Sequence, residues 1–497
     1  MTDRRENTLV EGPPRRRRRV PLWVKVTAGL VFVFVVLPGA YLWWGGYCAE
    51  RELQTRIAAI RTAGEPIDLE DFDPVFVPDD QNAYLAFVGA AQAVEVAEVE
   101  GNELGVLDDS SLARRRPDLV KQIVDANAAA LGLARQARAL PGVDTGIRMR
   151  SPAVSMLCPD LSPLKRLGEL LCATAAYRHH TGDDREAVES LRDVLRLARV
   201  VDETPTFIGH LLSVSIESLA MDTLESIAPG LRAGRKDVGT DASEDARRQV
   251  MLLTAELLDK TELEGGLLRA FLGERALMLD AARCTVDGTL SMSEIYGDSP
   301  TGPVEFAQNM LARLRWKREL PELVDAMTMN VDAARRDTWP EAKKKAYVAG
   351  EGKFFSRSWK FRQPSLVEVL IPSLNRGVML HFKAVALRRM GAAALAVRLY
   401  EADYGRRPGT LGELVPEYLP AVPEDPFADD GSAIGYLPNA DPPVLYSIGS
   451  DGVDDGGEVH LNRRGAIDWE EELPFFLNGD RDEVISRHAE AASQPGE

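Results

Sequence analysis

The sequence predicts a mainly α-helical protein with a single N-terminal transmembrane helix, an α-helical extracytoplasmic domain and a small C-terminal α+β module. Three observations support this fold class. A long apolar segment follows a run of arginines near the N-terminus. Apolar residues then recur at helical spacing through most of the chain. Near the C-terminus, a strong helical pattern is followed by short β-like runs separated by turn residues.

The first element is the apolar segment Val20 to Trp44, which directly follows the arginines at 15–19. About 20 apolar residues cross a bilayer core as a helix, and aromatic residues occur at both ends of this segment. The arginines would hold the N-terminus in the cytoplasm, which places the chain in a bacterial inner membrane with its bulk in the periplasm. The lipid bilayer is then a partner through residues 20–44. A cleaved signal peptide and a twin-arginine export signal are the alternatives.

Changes in composition divide the chain into five predicted segments. They are a basic cytoplasmic tail at 1–19, a transmembrane helix at 20–44, a helical domain at 45–375, an α+β module at 376–477 and a polar tail at 478–497. The formal net charge of −18 argues against nucleic acid as a partner, because phosphate backbones are bound by basic patches.

The four cysteines are far apart and show no CxxC spacing, so we expect no zinc site. In an oxidising compartment Cys158 and Cys172 could form a disulfide. Cys172 lies in an apolar helical stretch, where a buried free thiol is the alternative. The sequence leaves both open.

The clearest helical signal in the predicted helical domain runs from residue 161 to residue 227. A helix is expected over Leu164–His179, Gly182 would break it, and Asp183 would cap the next helix. The stretch AAYRHHTGDDREAVESLRDVLRLA, residues 175–198, resembles one tetratricopeptide-type helical hairpin. A generic αα-hairpin is the alternative, because no second copy recurs at a fixed period.

The C-terminal module begins with a strong helix from Arg376, whose apolar residues share one face. Gly405 is placed to end this helix, since glycine adopts the left-handed conformation without a steric cost. Three short strands are predicted after it, at Ile434–Leu437, Val444–Ile448 and Val459–Leu461.

The order of motifs in this region carries a resemblance. The segment YEADYGRRPGTLGELVPEYLPAVPEDPF, followed by VLYSIGSDGVDDGG, resembles the C-terminal domain of the major pseudopilin of type II secretion. The resemblance covers about residues 380–470 and implies a small antiparallel sheet behind a long helix, with partners in the envelope or secretion machinery. The chain departs from that family because it has no short processed leader and has more than 300 residues between the apolar segment and this module.

The resemblance also implies a Ca²⁺ site in the loop after the second predicted strand. The backbone carbonyl of Ile448 and the carboxylate of Asp451 match positions that face the ion in that family. Further oxygens could come from Asp454, Asp455 and Glu458. Ca²⁺ takes 6–8 oxygen ligands, and the glycines of this loop allow a tight turn around it. A solvated acidic turn is the alternative.

Familiar catalytic motifs are missing from the sequence. There is no GxSxG and no HExxH, and the run from Gly350 to Lys353 lacks the first glycine of a phosphate-binding loop. We therefore expect a membrane-anchored envelope protein with a scaffolding or interaction role rather than an enzyme. The alternative is an envelope hydrolase with an unrecognised acidic site in the helical domain. A deep pocket lined by carboxylates with shifted pKa values would favour the hydrolase.

Overall fold

The computed structural model describes residue 27 and residues 32–95, 112–153, 161–235, 241–290, 303–347, 366–463, 465–477, 481 and 483–487. These residues form mainly α-helices and one small sheet. The helices are α1 (Leu37–Thr62), α2 (Ala83–Gln92), α3 (Leu112–Arg115), α4 (Pro117–Ala126), α5 (Ala128–Arg138), α6 (Ser162–His180), α7 (Asp184–Asp202), α8 (Phe207–Ile227), α9 (Asp241–Leu257), α10 (Lys260–Asp287), α11 (Pro303–Ala334), α12 (Trp339–Lys345) and α13 (Leu366–Tyr404). The strands are β1 (Gly435–Leu437), β2 (Val444–Ser447) and β3 (Leu473–Phe476).

The structure corrects the transmembrane part of the predicted fold. Of the predicted span 20–44, only residue 27 and residues 32–44 are described, and the basic tail at 1–19 lies outside the described residues. A π-helical turn at Phe32–Val36 leads into α1, which continues well past Trp44. The second half of α1 is charged and packs against α11. Among the described residues no helix combines the length and the apolar character needed to span a bilayer.

The helices α6, α7 and α8 form the centre of the helical body, and each packs on the other two. Gly182 reverses the chain after α6 with a φ of 92°, which is in the left-handed region that glycine tolerates. Asp183 then caps α7, because its carboxylate accepts the N–H of Glu186 at 3.2 Å. The predicted cap and the predicted pair of helices are confirmed. Cys172 is buried in α6, and Cys158 lies outside the described residues.

The later helices pack around this centre. Helix α13 lies against α8, α9 and α11, while α10 packs on α8 and α11. One continuous apolar core therefore extends from Leu53 of α1 to Phe475 of β3. Gly405 follows the last turn of α13 with a φ of 69°, as predicted. The predicted boundary between residues 375 and 376 falls within α13.

The three strands form an antiparallel sheet in the order β1-β2-β3. The first two strands agree with the prediction, whereas the third is Leu473–Phe476 rather than Val459–Leu461. At the predicted site only an isolated bridge joins Leu461 to Ile467. In β3, Phe475 faces the main core and Phe476 packs in a second apolar cluster on the other face. Burial on both faces explains why this segment becomes the strand.

A close approach of backbones joins α10 to the turn between α7 and α8. A Cβ atom added at Gly273 of α10 would lie 2.0 Å from the carbonyl oxygen of Pro205. Because backbone atoms cannot move aside cheaply, only glycine fits this position. By contrast, Gly132 of α5 is exposed, and an added Cβ there meets no atom within 4 Å.

We expect Gly273→Ala to lower the free energy of unfolding by about 1–3 kcal/mol through overpacking. The matched substitution Gly132→Ala should raise it by about 0.5–1 kcal/mol, since alanine is the better helix former. Urea unfolding of both variants measures the difference. Equal effects of the two substitutions would contradict the close approach.

Candidate functional site

Two packed helices carry polar residues at seven-residue spacing on otherwise apolar faces. His210 and Glu217 lie on α8, and His381 and Arg388 lie on α13. Seven residues are close to two helical turns, so the members of each pair share a face. The two faces meet, with the imidazole rings 5.2 Å apart and Arg388 bonded to Glu217. Together with Asp202 at the end of α7, these four residues are named the polar seam.

The strongest interaction of the polar seam is a buried ion pair. The Nη1 of Arg388 donates to Oε1 of Glu217 at 2.9 Å, and the arginine is only 2% exposed. Burial raises the pKa of Glu217, and the charge of Arg388 opposes that shift. The Nη2 of Arg388 donates to the carbonyl of Glu256 at 2.7 Å, in the last turn of α9. One side chain therefore neutralises a carboxylate and satisfies a helix end.

The two histidines form the other half of the polar seam. The turn after α7 brings Asp202 to the first turn of α8, where its Oδ1 lies 2.6 Å from Nδ1 of His210. The Nε2 of His210 is buried and has no hydrogen-bond partner within the described chain. Burial, followed by the charge of His210, lowers the pKa of His381 to about 3, so this ring is neutral at physiological pH. A neutral imidazole offers one donor and one acceptor.

His381 connects the polar seam to a cavity of about 290 Å³. The cavity lies where α10, the turn after α11, α13 and the segment before the sheet meet. We name it the arginine cavity. Its charged and polar lining residues are Lys260, Arg335, Arg336, Asp337, Thr338, His381, Arg389 and Glu424. Positive side chains outnumber negative ones here, although the whole chain is strongly acidic.

The acidic residues that the sequence proposed for Ca²⁺ lie in the loop after β2, where local contacts use their carboxylates. Asp451 and Asp454 each accept the backbone N–H two residues further on, at 3.0 Å and 2.9 Å. Asp455 lies 3.2 Å from the ring of His460, and Glu458 is exposed. These contacts are typical of turns in an acidic loop.

The remaining predicted ligand, Ile448, lies beside a buried carboxylate. Its backbone N–H donates to Asp425 at 2.9 Å, and Ser447 donates to the same carboxylate at 2.7 Å. Burial raises the pKa of Asp425. The described residues contain no group of three or more His, Cys, Asp or Glu side chains arranged to hold a metal ion. Calcium binding by this loop therefore stays a prediction.

The polar seam was not identified from the sequence. Its two histidines are far apart in the sequence, and its charged members are a few among many charged residues. The available signal was the pairing of spacings. His210 with Glu217 and His381 with Arg388 each place two polar residues on the buried face of an apolar helix. The spacing places each pair on one face of its helix, but it does not say that the two helices pack together.

Comparisons with protein families, with curated proteins and with solved structures gave no significant match. The resemblances to a pseudopilin domain and to a tetratricopeptide-type hairpin therefore stay predictions. We therefore infer the function from the site itself.

We expect Arg388→Leu to lower the free energy of unfolding by about 3–5 kcal/mol, because it leaves Glu217 buried without a partner. The double variant Glu217→Leu/Arg388→Leu should recover most of this loss, although the carbonyl of Glu256 still loses its donor, at a cost of about 1–3 kcal/mol. Urea unfolding of both variants tests this. A double variant no more stable than Arg388→Leu would show that the charge of Glu217 is not the cause.

Proposed function

We propose that the chain is a non-enzymatic scaffold or interaction protein in which the sheet is a fixed part of the helical body. One observation carries this proposal. Burial raises the pKa of several described carboxylates. Those with the clearest shifts are hydrogen-bonded or ion-paired between packed elements of the fold. Such groups hold elements together and are not arranged as an acid and a base facing a common pocket.

Glu225 of α8 is the joint between the helical body and the sheet. Its Oε1 accepts the backbone N–H of Phe476 in β3 at 2.9 Å, and its Oε2 accepts from Arg481 at 2.8 Å. Burial raises the pKa of Glu225 to about 7, and the charge of Arg481 opposes the shift. The backbone of β3 is thus hydrogen-bonded directly to α8, and this contact fixes the position of the strand on the helical body.

Asp193 of α7 makes a second joint of the same kind. Its Oδ2 accepts from Nε of Arg135 at 2.7 Å, and Arg138 lies 3.2 Å from its Oδ1. Both arginines belong to α5, so this carboxylate connects α5 with the central helices. Burial raises the pKa of Asp193 to about 6. The arrangement supports a rigid body built from ion-paired helices.

A hydrolase is the second candidate, and one observation favours it. The hydrogen bond between Asp202 and His210 orients an imidazole whose Nε2 has no partner, which is the arrangement of a general base. The hydroxyl of Thr204 in the adjoining turn also lacks a partner among the described residues. However, no described hydroxyl or thiol is hydrogen-bonded to this Nε2, and this favours the scaffold role.

The scaffold and the hydrolase predict different rates of substrate hydrolysis. We expect the purified chain to hydrolyse p-nitrophenyl acetate, p-nitrophenyl phosphate and p-nitrophenyl glycosides no faster than its His210→Gln variant. Release of p-nitrophenol from each substrate is the measurement, and circular dichroism checks that the variant is folded. Turnover by the original chain that His210→Gln and Asp202→Asn both abolish would replace the scaffold role with the hydrolase.

The joint at Glu225 predicts a pH dependence of stability. A pKa raised from 4.5 to about 7 means that the folded state keeps a proton that the unfolded state loses. The contribution of Glu225 to stability is therefore fully present below about pH 4.5. As the pH rises to about 7, this contribution is lost and the free energy of unfolding falls by about 3 kcal/mol. Glu225→Gln should remove this part of the pH dependence of the free energy of unfolding. Urea unfolding measured between about pH 4.5 and about pH 7 tests this. The exposed Glu483→Gln is the control and should leave the pH dependence unchanged.

A further inference from the structure

We propose that the arginine cavity binds a small molecule that carries a phosphate group. The inference is independent of the scaffold role, since binding without turnover is compatible with it. It depends on the charges that line the cavity, on the imidazole in its floor and on its size.

The lining of the cavity has an excess of two positive charges. Lysine and arginine contribute four side chains, whereas Asp337 and Glu424 are its acidic residues. Arg335 is already paired with Glu65 at 2.5 Å. Lys260 and Arg336 are exposed, and neither forms an ion pair with any described residue. Two positive charges at one cavity therefore have no acidic partner, in a chain whose net charge is −18. This arrangement attracts an anion.

The floor of the cavity offers hydrogen bonds without further charge. The hydroxyl of Thr338 is buried away from solvent and has no partner within the described chain, so it is not available to a ligand in the cavity. The neutral ring of His381 forms part of the floor, packed against His210. A ligand that accepts from cations and also exchanges a hydrogen bond with an imidazole fits this lining.

A phosphate group matches these features better than a carboxylate. At neutral pH a phosphomonoester carries a charge of about −1.5 to −2 and three acceptor oxygens, which fits two unpaired cations and the neutral ring of His381. A cavity of about 290 Å³ is at the small end of ligand sites and holds roughly ten waters. The ligand class is therefore a small phosphorylated molecule, with inorganic phosphate as its simplest member.

Isothermal titration calorimetry of the full chain tests the proposal, with inorganic phosphate and pyrophosphate as probes and succinate as the carboxylate comparison. We expect millimolar pyrophosphate to bind, and Lys260→Gln/Arg336→Gln to weaken binding by at least about tenfold. The control Lys121→Gln/Arg185→Gln removes the same charge from exposed residues outside the cavity and should change affinity little.

Three results would overturn the proposal. They are no binding of either phosphate probe, equal losses in the cavity and control double variants, and tighter binding of succinate than of phosphate.

Discussion

Arg388 keeps its charge inside the helical bundle, and this constraint determines how three helices meet. Arginine does not deprotonate in proteins, so its burial requires a carboxylate and further acceptors. Glu217 of α8 supplies the carboxylate, and the carbonyl of Glu256 at the end of α9 supplies an acceptor. Because helices are rigid, this contact fixes the register of α13 against α8. The same register places His381 beside His210, two turns away, and aligns the rest of the polar seam.

The position of the sheet also depends on the register of α13 against α8. Helix α13 is both a central element of the bundle and the support of the C-terminal strands. Glu225 lies two turns beyond Glu217 on α8 and holds the backbone of Phe476. The sheet is therefore tied to the same helix that carries the polar seam. A fragment that began near residue 376 would lose α8 and α9, the helices that satisfy Arg388 and Phe476, and would expose the apolar face of α13.

Local sequence signals predicted the helical body well, because caps and turns such as Asp183 and Gly182 act within a few residues. They did not predict the features that depend on contacts between distant parts of the chain. The third strand was predicted at Val459–Leu461, whereas the observed β3 contains Pro474 and is an edge strand, where proline is tolerated. The apolar segment at 20–44 was predicted to span a membrane from its length, its aromatic ends and the preceding arginines, whereas α1 continues with a charged half whose Leu53 joins the core. The polar seam required knowing which helices pack together.

The arginine cavity lies at the junction between the helical body and the segment that leads to the sheet. Its cations come from the start of α10, from the turn after α11 and from α13, while Glu424 belongs to the segment that leads to the sheet. Arg389 already joins the helical body to this segment by donating to the carbonyl of Glu424 at 2.8 Å. An anion bound here contacts both parts at once, so its binding free energy adds to the stability of their junction. A ligand site in this position therefore strengthens the same rigid arrangement that the buried carboxylates maintain, and the proposed scaffold and the proposed ligand depend on one junction.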